Sequence, residues 1–223
     1  MKKLSAFLIL FLSVLNLNAQ DSLQLKTSSI PVAAETRQIQ TDSATVSSVP
    51  DTAYQALPHH YLFTQRLLWG ENGLMRKYGN FKLTVAGRER EMEIREKMNQ
   101  LHQLTGFVAL AGMIGSGITG QMIYNGNKSA KGAHSFVTGL TNVSYFSSLG
   151  FALFSPPPMT DRTGGFTKLK AHKILSIVHL SSMIATNVLS GMIEHNSSLK
   201  PYHRAAAMTA FTSLLLATAV IKL

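Results

Sequence analysis

Apolar residues are spread unevenly along this chain. Residues 20–100 are rich in Ser, Thr, Gln and charge, whereas 104–223 contain long stretches without a single Asp, Glu, Lys or Arg. Four apolar segments stand out, roughly 104–123, 135–154, 174–193 and 205–221. Each is about long enough as a helix to cross a hydrocarbon core about 30 Å thick. Their separators are polar and rich in turn formers: Asn125-Gly126-Asn127-Lys128, then Pro156-Pro157-Pro158 with Gly164-Gly165, then Asn196-Ser197-Ser198 with Pro201. Short connections favour antiparallel neighbours. The pattern therefore predicts an all-α integral membrane protein, with an up-and-down four-helix bundle over residues 101–223.

Ahead of these segments the pattern differs. Met1-Lys2-Lys3 precedes an apolar run from Leu4 to Leu17 and a small-residue junction at Leu17-Asn18-Ala19-Gln20. Residues 1–19 thus read as a secretory signal peptide, or as an uncleaved signal anchor, although the run falls short of a full span of about 20 residues. Residues 20–58 lack apolar periodicity and read as a flexible exported linker. Residues 59–100 form an amphipathic and charged juxtamembrane region. Its first part, Tyr61 to Tyr78, interleaves Leu62, Phe63, Leu67, Leu68, Trp69, Leu74 and Met75 with Arg66, Arg76 and Lys77, as a helix lying on a membrane surface would. Its second part, residues 88–97, carries four positive and four negative charges, the composition of a solvated salt-bridged stem or of a docking surface.

The mean hydropathy of +0.11 hides this division. A net charge of +10 suggests nucleic acid at first sight. The basic residues nevertheless fall in short clusters beside apolar segments rather than in one patch, which points to a lipid bilayer and away from nucleic acid. The chain has no Cys, so disulfides, thiolate metal sites and thioether-linked haem are excluded. Any metal must be held by His, Met or oxygen.

Six of the eight histidines lie in or beside the apolar half: His102, His134, His172, His179, His195 and His203. One stands at the entrance of each predicted span, namely His102, His134, His172 and His203. In an antiparallel bundle successive helices start on opposite faces, so His102 pairs by face with His172, and His134 with His203. Ionisable groups within spans are costly and usually mark function, and two opposed neutral imidazoles are what a low-spin haem requires. Singly, each could instead be an interfacial residue reaching toward headgroups. His179, about two turns deeper than His172 on the same helical face, is an alternative ligand, a proton-relay group or a satisfied interior histidine. The glycines of the first span and Ala205-Ala206-Ala207 permit either close helix packing or room for a flat cofactor.

Leu101-His102-Gln103 with Gly106, Lys131-Gly132-Ala133-His134-Ser135, Leu169-Lys170-Ala171-His172-Lys173 and Lys200-Pro201-Tyr202-His203-Arg204 together resemble the cytochrome b561 family over about residues 100–223. The resemblance implies a four-helix core holding two b haems through histidine pairs on alternate helices. His102 and His172 would ligate one haem iron, His134 and His203 the other. It also implies transmembrane electron transfer between a redox donor and an acceptor on either face, in a possible membrane-bound oxidoreductase component with no catalytic side chain of its own. No segment matches a known reductant-binding motif. Two other classes stay open: a cofactor-free structural or assembly subunit, and a small transporter using His179, Thr186, Asn187 and Glu194 as polar groups. The expected location is the inner (cell) membrane, multi-pass, with the N-terminal region exported. The charges oppose that orientation. Arg88, Arg90, Arg95, Lys97, Arg162, Lys168, Lys170 and Lys173 would lie outside, against Lys128, Lys131, Lys200 and Arg204 inside.

Overall fold

The computed structural model describes residues 57–79, 81–159 and 165–222, and among them every regular element is helical. The expected signal peptide at 1–19 and nearly all of the linker at 20–58 lie outside the described residues. Two short helices, α1 (Phe63–Trp69) and α2 (Leu74–Tyr78), precede four long ones: α3 (Val85–Tyr124), α4 (Lys131–Phe154), α5 (Lys168–Ile193) and α6 (Lys200–Lys222).

Three helical stretches are long and apolar enough to cross a membrane: Val85–Tyr124, Lys168–Ile193 and Ser197–Lys222. The second of the four expected spans, α4, forms a helix of 24 residues but falls short in apolarity. Its sequence explains this, because Ser135, Thr138, Thr141, Asn142, Ser144, Ser147 and Ser148 interrupt the apolar run. Several of these face inward: Thr141, Ser144 and Ser148 are buried together with Tyr145. Helix α3 has 40 residues, about 60 Å at 1.5 Å per residue, so its first turns extend well beyond any apolar layer.

The long helices form two antiparallel hairpins, α3 with α4 and α5 with α6. Each tight connection is built alike. Asn127 accepts from the Ser129 amide at 3.1 Å and its hydroxyl at 2.6 Å, and Asn196 accepts from Ser198 at the same distances. Such short side-chain turns let the backbone reverse while satisfying its own donors. The α3/α4 hairpin is tight enough to require glycine: a Cβ on Gly112 would sit 2.3 Å from Thr141 Oγ1. Between hairpins, Ala109, Leu110, Tyr145, Met183, Ala210 and Leu214 form one buried cluster, flanked by Met113, Leu180 and Phe211. The two inter-hairpin seams differ. Helices α3 and α6 approach closely, whereas no α-carbon of α4 comes within 8 Å of one on α5.

The juxtamembrane region is a clamp on the far end of α4. A helix leaves its last carbonyls without intrahelical donors, and Pro156-Pro157-Pro158 adds three carbonyls with no N–H among them. Side chains from α1 supply donors: Thr64 Oγ1 to the Leu153 carbonyl at 2.6 Å, Trp69 Nε1 to Phe154 at 2.9 Å and Gln65 Nε2 to Ser155 at 2.9 Å. From α3, Arg88 donates to the carbonyls of Pro157 at 3.0 Å and Pro158 at 3.1 Å, and Arg95 donates to that of Pro156. Arg76 joins the assembly by donating to Trp69 and Phe81 carbonyls, while Glu91 accepts from both Arg76 and Arg88. The expected solvated stem is therefore solvated on one side only. Glu89, Arg90, Glu93, Glu96 and Lys97 are exposed, but Arg88 and Glu91 are fully buried. Likewise, the expected surface helix keeps Phe63 and Tyr78 outside while burying Gln65 and Trp69.

A buried carboxylate between two buried guanidinium groups is costly to break, because removing it leaves uncompensated positive charge away from water. Glu91→Gln is expected to lower the unfolding free energy of the detergent-solubilised chain by about 3–5 kcal/mol. Glu89→Gln on the exposed side of the same turn should stay within about 0.5 kcal/mol of the parent. Equal effects in chemical denaturation of the two variants would disprove the clamp.

Candidate functional site

Four histidines make equivalent bonds. In each, Nδ1 meets a backbone carbonyl or hydroxyl on the other helix of its own hairpin. His102 on α3 reaches the Ser148 carbonyl at 3.0 Å and its Oγ at 2.9 Å on α4, and His172 on α5 reaches the Ala217 carbonyl at 2.9 Å on α6. At the turn ends, His134 on α4 meets Thr119 Oγ1 on α3 at 3.0 Å, a hydroxyl that itself donates to the Gly115 carbonyl, and His203 on α6 meets the Thr186 carbonyl at 3.0 Å on α5. A carbonyl can only accept, so its partner Nδ1 carries the proton. The neutral ring then presents Nε2 as a lone-pair nitrogen, the tautomer in which a histidine ligates a metal.

The histidines that share a face across the two hairpins are His102 with His172, and His134 with His203. The first pair is brought together: the ring centroids are 6.2 Å apart and the ring planes are perpendicular at 89°. The second pair is not in ring contact among the described residues. Neither His179 nor His195 joins a pair. His179 is buried, with Nδ1 2.6 Å from the Tyr145 hydroxyl, and its ring stands edge-on to that phenol at 5.6 Å. His195 lies exposed in the α5/α6 turn. No group of three or more His, Cys, Asp or Glu side chains suited to a metal occurs among the described residues.

The polar groups expected of a transporter are dispersed. Thr186 donates to the Ser182 carbonyl within its own helix, and Glu194 is exposed at the end of α5. Asn187 pairs instead with a residue that sequence reasoning passed over, Asn142 of α4. Their amides exchange hydrogen bonds of 2.8 and 3.2 Å, and Asn187 also donates to the Met183 carbonyl at 2.9 Å. With Tyr145–His179 this gives the wide α4/α5 seam two polar bridges.

A further relation ties the site together. His203 follows His134 by 69 residues, as Ala217 follows Ser148, Asn196 follows Asn127 and Ser198 follows Ser129. The buried set Thr141, Ser144, Tyr145, Ser148 on α4 recurs as Ala210, Ser213, Leu214, Ala217 on α6. The first helices correspond at 70 residues: His102 with His172, Ser116 with Thr186, Met113 with Met183 and Ala109 with His179. One hairpin plan is thus used twice, in the same direction. Sliding the sequence along itself exposes the spacing, but sparse identities hide it until the matching hydrogen bonds show which positions correspond.

The chain matches no family model, no curated protein and no solved structure.

The amide pair makes a specific expectation. Asn187→Leu should cost about 1–2 kcal/mol by leaving the Asn142 amide without its partner. Adding Asn142→Leu should recover most of that loss, because neither amide is then stranded. Additive losses in a double-mutant cycle of thermal unfolding would show that the two amides do not bond.

Proposed function

We propose that this chain is a di-haem b-type cytochrome that moves electrons across the inner membrane through a four-helix transmembrane bundle, following an N-terminal signal peptide. The observation carrying this reading is the His102/His172 pair. An imidazole nitrogen bonds a metal at about 2 Å. One iron held by both Nε2 atoms would separate the ring centroids by about 6 Å, and the observed separation is 6.2 Å. The anchored Nδ1 atoms of all four histidines fit the same chemistry, since a ligating histidine commonly donates its other ring N–H to a carbonyl.

His102 and His172 would hold one haem near the clamped end of the hairpins, and His134 and His203 a second near the turns. The group itself supplies one-electron chemistry at iron. The chain's own part is to bind and orient. The carbonyls of Ser148, Ala217 and Thr186 aim the imidazoles, Gly120 makes room for the His134 ring, and the apolar shell would exclude water. Depth favours His172 over His179, which stands about 10 Å further along α5 and is already committed to Tyr145. Helix α4, although less apolar than its neighbours, buries Thr141, Ser144 and Ser148 and bonds the Thr138 and Thr141 hydroxyls to the His134 and Val137 carbonyls. That leaves a span acceptable to lipid. The donor and acceptor are redox partners on either face.

The same hydrogen bonds favour a second reading, in which the histidines serve only as staples between paired helices of a cofactor-free assembly subunit. A reduced-minus-oxidised absorption spectrum of protein expressed with ample haem separates the two. Two b-type components are expected. His102→Ala or His172→Ala should remove one component and about half the haem, and His134→Ala or His203→Ala the other. Correctly inserted protein with no Soret band, or single variants that leave haem content untouched, would establish the stapling role instead.

A further inference from the structure

Tyr145 and His179 are the polar pair that neither the clamp nor the proposed ligand sets account for. Their position is central. His179 lies seven residues beyond His172 and seven before Thr186, whose carbonyl holds His203, so it stands about 10 Å along α5 from the level of each imidazole pair. From α4, the Tyr145 ring reaches across the wide seam to meet it, buried, at 2.6 Å from hydroxyl to Nδ1.

The repeated hairpin plan supplies a comparison within the same chain. The counterparts of Tyr145 and His179 are Leu214 and Ala109, both buried in the same cluster. On the α3/α6 side the fold closes this level with aliphatic side chains. On the α4/α5 side it holds a phenol and an imidazole, groups whose burial costs free energy that one hydrogen bond only offsets. The wider α4/α5 seam calls for longer side chains than Leu and Ala, but packing alone does not call for polar ones. Two aromatic rings in contact across an otherwise aliphatic gap do offer a better path for electron tunnelling, because π electrons couple over distance more strongly than saturated carbon.

Building on the di-haem reading above, we propose that the Tyr145–His179 pair is the electronic bridge across the middle of the molecule, between the His102/His172 site and the His134/His203 site. The two rings would carry one electron from the group that His102 and His172 would hold to the group that His134 and His203 would hold, the first being oxidised as the second is reduced. No bond forms or breaks, and the phenol proton stays within the Tyr145–His179 hydrogen bond.

The test copies the counterpart residues. The double variant Tyr145→Leu with His179→Ala should keep both spectral components and melt, by circular dichroism, up to about 15 °C below the parent, the cost of the cavity it opens in the wide seam. After partial reduction, electron redistribution between the two components, followed by rapid-mixing absorption, should slow about tenfold. Tyr145→Phe keeps the ring and should stay within about twofold of the parent. An unchanged rate in the double variant overturns the bridge. A loss in Tyr145→Phe as large as in the double variant overturns it too, by assigning the effect to the hydroxyl. A fall in melting temperature well beyond that range makes the pair interhelical glue. Should the double variant fail to insert, Tyr145→Leu alone is read by the same criteria. Absence of either component from the unsubstituted protein would overturn the di-haem reading itself, a result separate from all of these.

Discussion

Each hairpin is held at both ends by an imidazole whose Nδ1 bonds to the opposite helix, and much of the remaining architecture depends on that constraint. Inside an apolar layer no water competes for a ring N–H, so a histidine that enters must bring its acceptor with it. The acceptors here are the carbonyls of Ser148, Ala217 and Thr186 and the hydroxyls of Ser148 and Thr119. Reaching a carbonyl that already accepts within its own helix demands close approach. That is why small residues line the facing sides, and why Gly112 stands where even a methyl group would meet Thr141.

Fixing Nδ1 has a chemical consequence, since it selects the tautomer with Nε2 as the donor atom to a metal. A structural bond and a ligand-orienting bond are therefore the same bond. The two uses part company only across the hairpins, where the ring centroids of His102 and His172 come within 6.2 Å. The clamped end is also the end secured by the buried Arg76, Arg88 and Glu91 and by the α1 side chains that cap α4. The imidazole pair in ring contact thus sits beneath the more heavily braced end.

Duplication of one hairpin plan explains why the molecule needs so little sequence to specify so much. A repeated hairpin presents the same buried positions twice, and the two copies close on one another around a shared apolar cluster. Departures from the repeat are informative for that reason. Tyr145 against Leu214, and His179 against Ala109, replace an aliphatic solution that the same fold already uses with a polar one.

Apolar runs, separated by Asn, Gly, Ser and Pro, were enough to place the long helices, because membrane-length helices are written in composition and length. The entrance histidines were legible for the same reason, as rare groups in apolar surroundings. The limits of that reasoning are equally physical. Serines and threonines in α4 lowered its apolarity, and only tertiary structure showed Thr141, Ser144 and Ser148 buried among neighbours. The charged run at 88–97 has equal signs and looks solvated as letters; Arg88 is buried against two proline carbonyls about seventy residues later, and Glu91 with it through its pairs to Arg76 and Arg88, which no local pattern can announce. The partners of Asn187 and His179 were hidden likewise. A side chain's partner across a helix seam depends on the rotation and spacing of two helices, and those are set by packing over the whole molecule rather than by any residue's own neighbours in sequence.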